Sequence, residues 1–126
     1  MILSRDAILA AQDLKREEVA VPEWGGSVLV RTMTGAERDA WEQSLANGGK
    51  IDVSNVRARL VAACTIDESG ALLFSAADAQ ALGAKSGSAL ERVAKVAQRL
   101  NAITEEALEE ARGNSSAAPS GASTSS

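Results

Sequence analysis

Hydrophobic and polar positions along the chain change period several times, and each change marks an element. In RARLVAACTIDESGALLFS, Arg57 to Ser75, a helical stripe runs into a short apolar strand, an Asp67-Glu68-Ser69-Gly70 turn and a second apolar run that ends at a cap. Val56, Leu60, Val61 and Cys64 make the stripe of that helix, Ser54 is placed to cap it, and Arg57 and Arg59 lie outside it. Thr65-Ile66-Asp67 and Ala71-Leu72-Leu73-Phe74 are the arms of a candidate hairpin.

Upstream, Ser4 is a good cap for a first helix of about eleven residues. Leu3 and Ile8 are spaced for a hydrophobic staple, and Ala7, Ala11 and Leu14 fall on one face. Such a helix is marginal alone, so it is expected to pack on the domain. Val19 and Val21, then Val28, Val30 and Thr32, alternate with polar or small neighbours on either side of Pro22-Glu23-Trp24-Gly25-Gly26, which reads as a β-hairpin with a longer loop. Thr34 and Glu37 fit a capping box, Trp41 and Leu45 share a face of the helix that follows, and Asn47-Gly48-Gly49 is its stop signal.

Downstream, Ser75 and Asp78 open a short helix that Gly83 ends. Ser86 or Ser88 opens the most regular helix of the chain, in which Leu90, Val93, Ala97 and Leu100 follow the spacing of a packed seam and Glu91 precedes Lys95 by one turn. Thr104 caps a last helix, with Ile103 and Leu108 spaced for a staple and Glu105 and Glu106 in the first turn. From Gly113 the chain becomes GNSSAAPSGASTSS, uncharged and without a large apolar side chain, too little to offset the entropy of ordering. The pattern therefore predicts one α+β domain over residues 1–112, helix-dominated with one or two short β-hairpins, followed by a disordered tail at 113–126.

Composition narrows the chemistry. Aromatic residues are 2% of the 126-residue chain, so the core must be built from Ala, Val, Leu and Ile; modest stability and some need of a partner follow, which leaves self-association open. A net charge of −4 disfavours nucleic acid and anionic lipid as partners. No apolar run approaches the roughly 20 residues of a membrane span. MILSRDAILAAQDL lacks a basic leader and is broken by Arg5, Asp6, Gln12 and Asp13, so it reads as part of the fold and not as a signal peptide. The single cysteine, Cys64, allows no intrachain disulfide and fits a reducing cytoplasm.

Histidine and tyrosine are absent, which removes the commonest general base and the commonest metal ligand. Cys64 lies on an apolar stripe and reads as a buried structural residue. Asp67-Glu68-Ser69-Gly70 lacks the spaced ligands of a calcium loop, and the acidic residues at 105, 106, 109 and 110 read as a solvated helix face. No phosphate-binding glycine loop is present. No catalytic residue, metal site or cofactor is therefore expected. Trp41 belongs to an amphipathic face and is assigned to the core. Trp24, in a polar loop, either folds back as a lid over the core or stands exposed as a binding anchor.

Taken together, two blocks resemble a known family. LSRDAILAAQDLKREEVAVPEWGGSVLVRTMTGAERDAWEQSL is similar to the N-terminal part of the tail assembly chaperones of long-tailed bacteriophages and prophages, with the order "EV-VPEWGG-V-VR-T-TG-ER". RARLVAACTIDESGALLFSAADAQALGAKSGSALERVAKVAQRLNAITEE resembles their middle and end. The resemblance implies a non-enzymatic chaperone of the host cytoplasm. Such a protein coats the long apolar tape measure protein, recruits tail tube subunits and is missing from the mature virion. It also implies a short product of a frameshifting gene, with the tail near the point of divergence. The family supplies no catalytic residues and no binding motif to transfer.

A binder of apolar helices needs an apolar groove. The Leu90, Val93, Ala97 and Leu100 stripe or its edge is the sequence candidate, with Trp24 as anchor; the competing reading makes that stripe core. Rival functions are a structural tail or head–tail completion protein kept in the virion, and a small DNA-binding regulator that the acidic balance disfavours.

Overall fold

A computed structural model describes residues 1–45 and 55–108. The order of elements is α1 (Arg5–Ala10), β1 (Arg16–Val21), β2 (Gly26–Arg31), α2 (Gly35–Leu45), α3 (Val56–Cys64), β3 (Thr65–Ile66), α4 (Ala79–Gly83) and α5 (Gly87–Leu100), with short 3-10 turns at Pro22–Trp24 and Ala76–Asp78. The strands form one antiparallel sheet of order β1-β2-β3, with helices dominating the rest, so the fold is a small α+β domain.

The first hairpin forms where alternation predicts it. Val19 pairs with Val28, and Val19, Val21 and Val30 are buried on one face of the sheet. Pro22 sits at the end of β1, where a missing N–H costs no ladder bond, and Gly25 turns the chain with a φ of 81° that favours glycine. Sequence reading stops at two separate hairpins; the structure joins them. Leu29 and Val30 of β2 pair with Ile66 and Thr65 of β3, which makes β2 the central strand. The second arm of the later hairpin is reduced to one bridge, Ile66 to Leu72. Leu72 and Leu73 there stay about half exposed and have no helix to pack against. Asp67 organises the turn: its carboxylate accepts from the Ser69 N–H and hydroxyl and from the Ala71 N–H.

The capping box at α2 is complete. Thr34 Oγ1 accepts from the Glu37 N–H at 3.1 Å, and Glu37 Oε1 accepts from the Thr34 N–H at 2.9 Å. Helix α3 is the centre of the domain: Val56, Leu60, Val61 and Cys64 are buried as the stripe predicts, and so are Ala58 and Ala62 on its other side. Small residues there let neighbouring helices approach closely. Ser86 caps α5 by accepting from the Ala89 N–H. The α5 seam lies over the sheet and α3, and Trp41 and Leu45 of α2 join the same core. Thr104 caps a further helical turn, and Ile103 and Leu108 around it are both buried, as the staple spacing predicts.

Helix α1 departs from expectation. Ser4 caps it, but it runs only from Arg5 to Ala10 because Ala11 turns extended, and none of its residues is buried. Leu3 and Ile8 are each 56% exposed, so no staple buries them. Leu14 lies beyond the helix. With no face buried, nothing extends a helix of this length. The expected stop at Asn47-Gly48-Gly49, the Ser54 cap and the tail at 113–126 lie outside the described residues.

Candidate protein-binding site

Chemistry is sparse at every titratable cluster. Among the described residues no group of three His, Cys, Asp or Glu side chains could hold a metal, and no helix is long and apolar enough to cross a membrane. Burial pushes the Cys64 thiol up to about 12, with smaller opposing help from the Asn101 amide, so it is no nucleophile near neutral pH.

The surface does carry an apolar depression. Ala40 of α2, Ala62 and Ala63 of α3, Leu72, Phe74 and Ala79 line an open hollow of about 220 Å³, with Glu37 and Arg59 at its polar rim. It exists because α2, α3 and α4 present alanines where they face one another: the missing side-chain volume becomes a trough. Phe74 also borders a second hollow, shared with Glu23, Trp24, Leu82 and Lys85. The two meet at Phe74 and make one apolar strip from Ala40 to Trp24.

Two charged clamps hold the walls. Arg31 Nη2 donates to both carboxylate oxygens of Glu37, at 2.6 and 2.7 Å, while its Nη1 donates to the Gly70 carbonyl. Burial pulls the Glu37 carboxyl upward, but the Thr34 N–H and the Arg31 guanidinium outweigh it and leave the group below its usual value. One arginine thus ties β2 to the start of α2 and to the hairpin turn. At the far end Arg92 of α5 grips both oxygens of Glu23, at 2.6 and 2.9 Å. That fork holds the Glu23 carboxyl down to about 2 and fixes the turn that carries Trp24.

Trp24 is half-buried against the core and keeps part of its surface in the second hollow. It therefore combines features of lid and anchor. Leu90, Val93 and Ala97 are buried, at 6%, 0% and 0% exposure, and Leu100 is half-buried against the same core. The seam of α5 is turned inward, so a partner meets Trp24 but not those three side chains. Sequence reading did not single out the Ala40–Phe74 trough. Its only signal is the density of alanine on α3 and α4, which reads equally as helix propensity.

Comparison with known proteins follows this geometry. The family model described as phage tail assembly chaperone matches residues 4–113. The chain belongs to that family. A solved structure titled "Structure of bacteriophage HK97 tail assembly chaperone" matches with a TM-score of 0.54 at 20% identity, over 75% of this chain and 90% of that one. At that identity the likeness speaks for the fold. No curated protein sequence matches the chain. The apolar strip is thus the surface of a tail assembly chaperone on which a client site has to be sought.

Proposed function

We propose that this tail assembly chaperone holds the tape measure protein by laying an apolar helical segment of it along the strip from Ala40 to Trp24, and recruits tail tube subunits to the complex. It acts without catalysis, in the bacterial host cytoplasm, and leaves before the virion is complete. The observation that carries the reading is the open apolar trough at Phe74, bounded by charge at Glu37 and Arg59. An unassembled tape measure exposes apolar helical seams, and a groove of this kind is how proteins take up an amphipathic helix. Leu90, Val93, Ala97 and Leu100 support the groove from beneath by fixing α5.

Co-expression with the tape measure protein tests this. The wild-type chain should co-purify with it, Ala40→Glu should lose it while remaining folded, and Trp24→Ala should weaken it. Undiminished capture by a folded Ala40→Glu variant would remove the trough as the site. Mass spectrometry of finished particles separates the chaperone from a retained tail or completion protein, since the chaperone should be missing.

A further inference from the structure

Large apolar side chains that remain exposed among the described residues fall in two places. Met1, Ile2, Leu3, Ile8, Leu9 and Leu14 belong to the N-terminal arm, and Leu72 and Leu73 border the hollows around Phe74. The arm carries an apolar helix turn with nothing beneath it, and the trough is an apolar hollow with its rim exposed. Each has the chemistry the other lacks.

Within one chain the two stay apart, although the root of the arm is close to the trough. Arg16, which follows the arm, reaches Gly70, and Arg31 links Gly70 to Glu37 at the rim. The chain therefore does not adopt the geometry that would close both surfaces on themselves. A second copy supplies both. Ala11 to Lys15 lies between α1 and β1, and five extended residues reach about 17 Å, enough to carry α1 onto a neighbour.

Area selects the arrangement. The six arm side chains expose the equivalent of about four whole residues, at roughly 100 Å² of apolar surface each. Covering them and a matching area of trough removes roughly 800 Å² per arm, below the roughly 1,200 Å² of a stable interface. A reciprocal exchange of two arms doubles this to about 1,600 Å², the ordinary size of a specific complex. We propose that the free protein is a two-fold dimer in which each copy lays α1 into the Ala40–Phe74 trough of the other. Exchange of a terminal element is a low-cost route to such a dimer. The dimer itself does not depend on the client. Its consequence, that an apolar client helix must displace the arm and so dissociate the dimer, rests on the client reading above.

Sedimentation equilibrium of the full chain should give twice the chain mass. The Ile8→Asp/Leu9→Asp variant, altered only at exposed positions, and Ala40→Glu should each sediment as monomers with an unchanged circular dichroism spectrum. Leu9→Cys and Ala76→Cys chains, mixed and oxidised, should give the mixed disulfide dimer in excess over either self-pair. A wild-type monomer at every concentration, a dimer that survives Ile8→Asp/Leu9→Asp, or no excess of the mixed disulfide would each overturn the exchange. Tape measure capture by a wild-type protein that is monomeric throughout would leave the client reading standing and remove this one.

Discussion

Replacing Asn101 by alanine tests how the end of α5 is joined to the rest of the domain. Asn101 is 7% exposed, and its side chain is used on both sides. Oδ1 accepts from the buried Met33 N–H at 2.7 Å, and Nδ2 donates to the Ala97 carbonyl at 2.8 Å, with a longer contact to Cys64 Sγ at 3.5 Å. Truncation leaves the Met33 N–H without its partner where water does not reach, at a cost of about 1–3 kcal/mol. The lost Nδ2 bond adds about 1 kcal/mol, since the Ala97 carbonyl keeps the Asn101 N–H. The total is about 3 kcal/mol, a large share of the 5–15 kcal/mol typical of a domain. At about 4–8 °C per kcal/mol for a domain of this size, Tm should fall by at least about 12 °C. Urea unfolding followed by circular dichroism measures it directly, with Gln43→Ala on the exposed face of α2 as the control expected within about 0.5 kcal/mol. A loss below about 1 kcal/mol for Asn101→Ala would show that the Met33 N–H finds another acceptor and that the clamp is not what joins these elements.

Other expectations follow from the same structure. Ala102 holds a left-handed φ of 54° in a Schellman turn, where the Ile103 N–H reaches the Gln98 carbonyl and the Ala102 N–H reaches that of Arg99; Ala102→Gly should stabilise by about 0.5–1 kcal/mol in thermal melts. Because burial raises the Cys64 thiol from 9.0 to about 12 in the folded chain, the unfolded chain gives up that proton first. Stability should therefore fall as pH rises from about 9 towards 12, and Cys64→Ala should flatten that limb of a urea-midpoint profile. Glu23 runs the other way: its carboxyl is held at about 2 against a usual 4.5, chiefly by Arg92, so its contribution is present above 4.5 and lost as pH falls towards 2. Acid titration of tryptophan fluorescence should show this step, and Arg92→Gln should remove it. Arg31→Ala breaks a part-buried pair with Glu37 as well as the bond to Gly70 and should cost about 2–3 kcal/mol in the same urea assay.

Local rules made much of the fold legible. Thr34 and Glu37, Ser75 and Asp78, Ser86 and Thr104 mark their helix starts because a capping side chain acts over three or four residues, a range visible in any sequence window. The Val19, Val21 and Val30 alternation gave the first hairpin for the same reason. What escaped depends on distance. Nothing near Thr65 says that it pairs with Val30 across thirty-five positions, so the single sheet was not foreseen. Helix α1 has the sequence of a packed element but no partner within the chain, and a periodicity cannot report whether a face is covered. The α5 stripe was read with two meanings left open, core seam and binding face. Its burial follows from the sheet and α3 lying against it, which the stripe alone does not contain. The trough is harder still, because it is made by side chains that are missing, and Ala40, Ala63 and Ala79 look like ordinary helix formers one at a time.

The central claim is that an apolar helical segment of the tape measure protein lies in the trough beside Phe74. Site-specific photo-crosslinking in cells producing both proteins tests it most directly, with the reactive side chain placed in turn at Ala40, at Ala76 and, as a control, at the exposed Lys95 of α5. The account predicts tape measure adducts from Ala40 and Ala76 and none from Lys95. Adducts from Lys95 alone, or equal yields at all three positions, would contradict it.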